Sequence, residues 1–534
     1  MRARSRAWLT LAVHFDAVRL APRAWLATLW WRMLGKRVRA RAQFAPLLAA
    51  SPRAYRLWLL SESIPETSDA RDGPAIVALV EKGPGQADTI KSLRGQDVIV
   101  LPLGTTAVPD LSAAAEQIKW NSSPWIMPLM AGDIVAPHAI AAYQAAAIRA
   151  VGSIVYADDD ILDSEGQRTE PHFKPAWNAE LFRHFDYLTK ACIVRTGRDT
   201  FISLSGSNWA AELVASALRG KGGANPPMRL PHILHHRRSR PNPCISAVVK
   251  PNSATLPKVS VIVPTRNRLD LLCTCLEGVE RTDYPDLEVI VVDNGSDDPA
   301  TLDYLANLDT ARYRVLRAPG PFNFSTLNNR AAEIATGELL CLLNNDIEVL
   351  APDWLITMVQ QAQRPEVGAV GARLLYPDGR IQHAGVVMGI CGGAAHAHRL
   401  LNPNEQGYFH RHALPQFVSA VTAACLVVRR KSFEAIGGLD EKNFAVAFND
   451  VDLCMRLNAQ GWQSLYEPRA TLIHHESVSR GFDRDPVGAA RLAGELAALK
   501  AAWRTGLELD EEIDPYHHPQ LNRFSEHFVM RFRG

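Results

Sequence analysis

The segment Leu339–Leu350, LLCLLNNDIEVL, contains the pattern that decides the fold. An apolar run of strand length ends in the polar cluster Asn344-Asn345-Asp346, which predicts a buried strand with a carboxylate at its end. In open α/β sheets ligands bind at this edge, and Mg²⁺ or Mn²⁺ on phosphate oxygens needs one or two carboxylates. The segment therefore predicts either a metal–diphosphate site at Asp346 or a polar turn that closes a core strand.

The composition is that of an ordinary globular protein. The chain has 534 residues, of which 47% are hydrophobic and 21% charged, and its formal net charge of +2 does not favour nucleic acid as a partner. The eight cysteines lack zinc-ligand spacing, which indicates thiols in a reducing cytoplasm. No apolar run reaches the ~18 residues of a membrane span, and Ala7–Val13 is too short for a signal peptide.

The first fifty residues combine many arginines with tryptophan and leucine. They contain one acid, Asp16, and place Trp25, Trp30 and Trp31 at helical spacing. This composition is typical of a helix on an anionic membrane surface, and also of a helical arm that packs on its own protein. We expect a basic helical arm and linker over residues 1–70.

The rest of the chain consists of two similar series of alternating strands and helices, which predicts parallel βαβ units. Ser123–Pro137 parallels Gly337–Pro352 and places Asp133 at the position of Asp346. The pattern therefore predicts a tandem duplication. The expected domains are residues 71–251 and 252–505, followed by a C-terminal tail at 506–534.

The two halves differ in their reactive groups. A histidine pair closes each half, His235-His236 in the first and His474-His475 in the second. The second half alone has the sequence FNDVDLCMRL, in which Asp450 opens a predicted helix. This asymmetry predicts that the first domain is degenerate and non-catalytic and that the second carries the chemistry.

Polar clusters of the second half fall at strand ends or helix starts and suit a nucleotide-dependent reaction. The amides and polar side chains of a βα loop can hold phosphate or ribose. A carboxylate at a strand end can accept a hydrogen bond from the imino N–H of a pyrimidine base or from a ribose hydroxyl. At a helix N-terminus the dipole favours an ionised aspartate, as a general base requires. Each cluster alone also fits a turn, a helix cap or a structural histidine pair. The clusters are Pro264-Thr265-Arg266-Asn267, Asp293-Asn294, Asn344-Asn345-Asp346, Asp450 and His474-His475.

Five motifs occur in order over about Val259–Gly481: VSVIVPTRNR, VIVVDNGSDD, TGELLCLLNNDIEVLAPDWL, FEAIGGLDEKNFAVAFNDVDLCMRL and HHESVSRG. Together they resemble the inverting family 2 glycosyltransferases of the GT-A fold, most of all bacterial enzymes of O-antigen, capsule and rhamnan assembly. In the first half, YADDDILDSEGQRTEPHFKPAWN resembles the extra domain of large tandem members. The resemblance implies a Rossmann-like GT-A domain after a degenerate, related α/β domain and the helical arm.

The resemblance also implies a role for each site residue. The roles are nucleoside binding by Pro264, Thr265 and Asp293, metal–diphosphate binding by Asp346 with His474 or His475, and general base catalysis by Asp450. Two motifs depart from the family pattern. The usual DxD reads Asn344-Asn345-Asp346, which leaves one carboxylate, and the usual Glu-Asp reads Asn449-Asp450, which keeps the base. The QxxRW signature of processive synthases does not follow Asp450.

We therefore predict a non-processive, inverting glycosyltransferase of bacterial cell-surface polysaccharide synthesis that uses Mg²⁺ or Mn²⁺. Its donor would be a UDP-, dTDP- or GDP-sugar and its acceptor a glycan or lipid-linked glycan. Its expected location is the cytoplasm, with the arm on the inner face of the cytoplasmic membrane. One alternative is a nucleotidyltransferase, although VPTRNR lacks the glycine such a loop needs. Another is a non-catalytic scaffold of a polysaccharide assembly complex.

Overall fold

The computed structural model describes residues 2–63, 65, 73–219, 225–245, 256–475, 486–503 and 514–532. The domain boundaries predicted after residues 70, 251 and 505 lie outside the described residues, as does the HHESVSRG motif beyond His475. Within these ranges no helix is both long enough and apolar enough to cross a membrane.

Residues 2–63 contain the predicted helical arm, in four helices. They are α1 (Arg2–Leu20), α2 (Pro22–Met33), α3 (Arg37–Ala49) and α4 (Ala54–Leu59). Val13 and Ala17 of α1 and Thr28 of α2 are buried. The Asp16 carboxylate pairs with Arg53 at 2.7 Å and so fastens α1 to the start of α4.

In the described part of the first half, eight strands form one sheet and six α-helices accompany it. The strands are β1 (Ile76–Val80), β2 (Ile99–Pro102), β3 (Trp125–Leu129), β4 (Ile134–Val135), β5 (Ile154–Leu162), β6 (Arg168–His172), β7 (Cys192–Arg195) and β8 (Met228–Arg237). The helices are α5 (Gln86–Ser92), α6 (Leu111–Gln117), α7 (Ala139–Arg149), α8 (Ala179–His184), α9 (Arg198–Ile202) and α10 (Trp209–Arg219). The strand order is β2-β1-β3-β7-β5-β8-β4, with β6 paired to β5.

The second half contains a larger sheet, with ten strands among the described residues, and a separate hairpin. Its strands are β9 (Val259–Thr265), β10 (Leu287–Asp293), β11 (Tyr313–Arg317), β12 (Leu339–Leu343), β13 (Ile347–Val349), β14 (Val367–Leu375), β15 (Ile381–His383), the hairpin β16 (Val386–Met388) and β17 (Ala394–His396), β18 (Gln416–Val418), β19 (Cys425–Arg429) and β20 (Gln463–His474). Its helices are α11 (Leu269–Glu280), α12 (Pro299–Ala306), α13 (Phe324–Ile334), α14 (Trp354–Ala362), α15 (Arg430–Ala435), α16 (Asn449–Ala459) and α17 (Pro486–Trp503). The predicted strand β12 is confirmed and is buried along its whole length, because helices cover both faces of such a sheet.

The two sheets share one topology. The order of the second is β11-β10-β9-β12-β19-β14-β20-β13, with β15 paired to β14 and β18 to β20. Without β11 and β18, its strands match β1 to β8 both in chain order and in sheet position. Equivalent neighbours also have the same parallel or antiparallel sense. The shared topology supports the predicted tandem duplication.

The arm, the two halves and the C-terminal segment meet in one apolar cluster. It includes Trp58 of α4, Phe173 of the first half and Phe528 of the C-terminal segment. The Trp58 and Phe173 ring centroids are 5.1 Å apart. Asn178 Nδ2 also donates to the Phe417 carbonyl at 2.8 Å, which joins the first half to β18.

Candidate functional site

The strands β9, β10 and β12 end side by side at one edge of the second sheet. β9 and β10 pair in parallel with Thr265 opposite Asp293, and β12 pairs with β9 in the same direction. Asn345 Nδ2 donates to Thr265 Oγ1 at 3.1 Å and so joins the ends of β9 and β12. The structure therefore brings the predicted clusters of these strand ends together.

The loop after β9 is bound to the loop after β10 through Asn267. The Asn267 side chain exchanges two hydrogen bonds with Asp297, one to its carboxylate at 2.8 Å and one from its backbone N–H at 3.0 Å. The Asn267 N–H donates to Ser296 Oγ at 2.8 Å. Pro264 is buried and Arg266 is exposed. Asn267 therefore shapes the loop, while Arg266 lies at its surface.

Asp293 is fully buried at the end of β10. Its Oδ1 accepts the Ser296 N–H at 2.8 Å, and its Oδ2 pairs with the Arg317 guanidinium. The neighbouring Asn294 amide donates to the Ala318 carbonyl at 2.9 Å. Sequence reasoning missed Arg317, because β11 was not assigned as a strand. In the structure β11 pairs with β10 and places Arg317 opposite Asp293.

Asp346 meets His474 because β13 pairs with β20. The pairing is antiparallel and sets Ile347 opposite His474. His474 Nε2 lies 3.1 Å from Asp346 Oδ1 and 3.4 Å from Asn344 Nδ2. On the other side of the ring, His474 Nδ1 lies 2.7 Å from Gln382 Oε1. Gln382 is a residue that sequence reasoning missed.

His475 has different neighbours from His474. Its Nε2 lies 3.0 Å from Glu348 Oε2. With Glu348, Asp346 and Asp270 it lines a cavity of about 190 Å³ beside α11. The two predicted histidines therefore have different side-chain partners. His474 faces the Asp346 carboxylate, and His475 pairs with Glu348 in the lining of this cavity.

The Asp346 and His474 side chains fit a divalent cation that arrives with a diphosphate. Among the described residues, no group of three or more carboxylate, imidazole or thiol side chains is placed to hold a metal ion. Mg²⁺ in nucleotide sites commonly takes one or two protein ligands and completes its shell with phosphate oxygens and water. One carboxylate and one imidazole are enough protein ligands for such a cation. They would be too few for a cation that is held by protein side chains alone.

Asp450 lies in the first turn of α16, half-buried and close to the end of β12. Its Oδ1 accepts the Val451 N–H at 2.8 Å, and its Oδ2 accepts the Ala423 N–H at 3.1 Å. The carbonyl of Ala424, the residue after Ala423, accepts the Asn344 N–H at 3.0 Å. A short backbone segment thus links Asp450 to the proposed diphosphate site.

Strand pairing defines the equivalent site of the first half. Ile134 lies opposite His236, as Ile347 lies opposite His474, so Asp133 matches Asp346 and His236 matches His474. The second histidine of the pair in the first half, His236, therefore occupies the position of the first histidine of the pair in the second half, His474. Burial raises the pKa of Asp133 to about 6.

Cationic side chains of the protein occupy this region of the first half. Arg237, which follows His236, lies 3.6 Å from the carboxylate of Asp159. Lys174 and Arg240 pair with the same carboxylate at 2.7 and 2.6 Å. Although burial acts to raise it, these cations hold the pKa of Asp159 well below its usual range. The buried carboxylate is therefore neutralised by the chain itself.

Comparisons with known proteins identify the family to which the chain belongs. The family model described as Glycosyl transferase family 2 matches residues 260–437. The chain is 39% identical over 422 residues to the uncharacterized protein y4gI of Sinorhizobium fredii, covering 71% of this chain and 46% of that protein. It is 38% identical over 435 residues to the O-antigen biosynthesis protein RfbC of Myxococcus xanthus, covering 74% of this chain and 33% of that protein.

A third relative matches the second half. It is the N-acetylglucosaminyl-diphospho-decaprenol L-rhamnosyltransferase of Mycobacterium tuberculosis, 30% identical over 224 residues that cover 38% of this chain and 69% of that enzyme. The chain spans less than half the length of the first two relatives. Their matches are longer than the part of the chain after Val259, so they extend into the first half. The predicted GT-A type of α/β fold is confirmed, and the chain belongs to glycosyl transferase family 2.

Proposed function

We propose that the chain transfers a sugar from a nucleotide-sugar donor to a hydroxyl of a glycan acceptor, with inversion, in the synthesis of a bacterial cell-surface polysaccharide. The acceptor oxygen bonds to the anomeric carbon while the bond from that carbon to the diphosphate breaks. The observation that carries the proposal is the arrangement of Asp293, Asp346 and Asp450 around the end of β12. A transferase needs neighbouring sites for nucleoside, diphosphate and acceptor.

Asp450 is the proposed general base. The acceptor hydroxyl gives its proton to the carboxylate as the new bond forms, and the proton then passes to solvent. The N–H groups of Ala423 and Val451 each hold one carboxylate oxygen, which fixes its orientation.

The donor is proposed to lie along the ends of β9, β10 and β12. Thr265 and Asp293 would contact the nucleoside, and Asp346 with His474 would hold Mg²⁺ or Mn²⁺. When bound, the cation offsets the negative charge of the departing diphosphate. The remaining proposed donor residues are Pro264, Arg266, Asn267, Asn294, Asn344, Asn345 and His475. The proposed donors are UDP-, dTDP- and GDP-sugars.

The first half is proposed to be a scaffold without a donor site of its own. The carboxylate of Asp159 is paired with Lys174 and Arg240, so it is not available to a metal ion. The adjacent Asp160 carboxylate accepts the Tyr55 hydroxyl at 2.6 Å. The His518 ring lies 2.9 Å from the Asp158 carboxylate. These contacts suit a half that holds the arm and the C-terminal segment in place.

The arm is proposed to bind the inner face of the cytoplasmic membrane, near a lipid-linked acceptor. On α1 and α2, large apolar side chains are exposed on the sides opposite the buried residues Val13, Ala17 and Thr28. The exposed side chains are Trp8, Leu11 and Phe15 of α1 and Leu26, Trp30 and Met33 of α2. Arginines of the arm would attract anionic lipid headgroups. Trp31, in contrast, packs under the Arg39 guanidinium within the arm.

A donor screen tests the transferase proposal. Thermal unfolding of the full chain is measured with UDP-, dTDP- and GDP-sugars, each with and without Mn²⁺. A donor that binds should raise the unfolding temperature in a concentration-dependent manner, more strongly with Mn²⁺. If no nucleotide sugar stabilises the chain, the proposal fails.

A further inference from the structure

The side-chain amide of Gln382 contacts one ring nitrogen of His474. Gln382 lies on β15, is 4% exposed, and places its Oε1 2.7 Å from His474 Nδ1. An amide oxygen only accepts hydrogen bonds, so His474 Nδ1 is the donor. In the neutral imidazole the lone pair then lies on Nε2. The amide of Asn344, 3.4 Å from Nε2, is a suitable donor to that lone pair.

The lone pair on His474 Nε2 faces the Asp346 carboxylate at 3.1 Å. Two electron-rich atoms at this distance need a proton or a cation between them or beside them. Neighbouring ligands of an octahedral Mg²⁺ with bonds of about 2.1 Å are about 3.0 Å apart. The separation of the two atoms therefore suits adjacent corners of one coordination shell.

The first half provides an internal comparison. There the equivalent histidine, His236, has its Nδ1 2.7 Å from the Asp160 carboxylate, which Arg168 also contacts. That carboxylate also accepts the Tyr55 hydroxyl, so it fastens His236 to structural groups of the arm and the first half. His474 instead has the Gln382 amide oxygen at Nδ1, and a ring held at Nδ1 presents its Nε2 to a metal.

We propose that Gln382 is a positioning residue that holds His474 in the tautomer whose Nε2 binds a divalent cation together with Asp346. The inference rests on the metal site of the proposed function. It adds a residue from a separate strand that does not itself contact the cation. Because histidine ligands depend on the partner of their other ring nitrogen, loss of this partner should weaken metal binding by about 10–100-fold.

The test measures Mn²⁺ affinity directly, by electron paramagnetic resonance of free Mn²⁺, with UDP, GDP and dTDP in separate arms. Gln382→Met removes the acceptor at nearly constant size and should weaken Mn²⁺ binding by at least about tenfold. Gln382→Glu keeps an acceptor at the same place and should retain more of the affinity. The matched control is Gln144→Met, which alters an equally buried glutamine of the first half that contacts Asp97.

The outcomes separate this inference from the proposed function. Weaker binding in Gln382→Met, recovery in Gln382→Glu and normal binding in Gln144→Met support it. Equal Mn²⁺ affinity in Gln382→Met and the unaltered chain overturns it and leaves the metal site intact. A loss in Gln382→Glu as large as in Gln382→Met also overturns it. An unaltered chain that binds no Mn²⁺ in any arm overturns both the inference and the proposed metal site.

Discussion

Asp133 and Asp346 occupy equivalent positions in two sheets of the same topology, but their surroundings differ. Asp346 lies 3.1 Å from His474 Nε2, whereas the Asp133 carboxylate accepts the backbone N–H of Arg238 at 2.9 Å. A cation on a diphosphate needs a carboxylate with a second donor beside it, and His474 provides that donor for Asp346. This difference supports the proposal that one duplicated strand end serves chemistry while the other serves structure.

The two aspartates form a matched pair for mutagenesis. Asp346→Asn is expected to abolish Mn²⁺-dependent donor binding and to lower the transfer rate by about 100-fold or more, because a neutral amide is a poor ligand for a hard cation. Asp133→Asn makes the same chemical change in the first half and should leave both quantities unchanged. Calorimetric donor titration and a transfer assay measure them. Similar losses in both variants would contradict the assignment of the two halves.

Asp133 should also make stability depend on pH. Because burial raises its pKa to about 6, the folded chain holds this proton more tightly than the unfolded chain does. The carboxyl therefore contributes to stability below about pH 4, and that contribution is lost as the pH rises through about 6. Relative to the unaltered chain, Asp133→Asn should become more stable between pH 4.5 and 7.5, by up to about 3 kcal/mol. Urea unfolding at several pH values measures this difference, and a flat difference would rule out the raised pKa.

Asp450→Asn should separate turnover from donor binding. The substitution removes the proton acceptor but keeps the size of the side chain, so the transfer rate should fall by about 10²–10⁴-fold with donor affinity largely kept. Asp440→Asn is the matched control, since Asp440 caps an exposed turn through the N–H groups of Lys442 and Asn443. If Asp450→Asn turns over normally, Asp450 is not the general base and the proposed mechanism is wrong.

The outer face of the arm is expected to determine membrane binding. Leu11 and Trp30 are 71% and 57% exposed, and a glutamate at either position would bring an acidic group against anionic lipid. Leu11→Glu and Trp30→Glu should each weaken binding to phosphatidylglycerol vesicles by about tenfold or more. Val151→Glu, at a position of the first half that is 72% exposed, should have no effect. Vesicle co-sedimentation tests the three variants, and equal binding by all of them would exclude the arm as the contact.

The sequence by itself determined the α/β class, the duplication and the half in which the chemistry is proposed. These features depend on local patterns: short apolar runs such as Leu339–Leu343, polar clusters at their ends and the order of motifs. An apolar run followed by a polar cluster specifies a strand and its end without knowledge of its neighbours. For this reason Asp293 and Asp346 could be predicted as strand-end carboxylates, and Asp450 could be predicted from its place at a helix start.

Only the tertiary structure decided which residues surround those carboxylates. The pairing of β13 with β20 places the side chain of His474, and not that of His475, beside the Asp346 carboxylate, because a shift of one residue turns a side chain to the other face of a sheet. Gln382 and Arg317 reach the site from strands that are distant in sequence or were not predicted. Contacts between distant strands depend on register and packing, which a single sequence read by its local patterns does not contain.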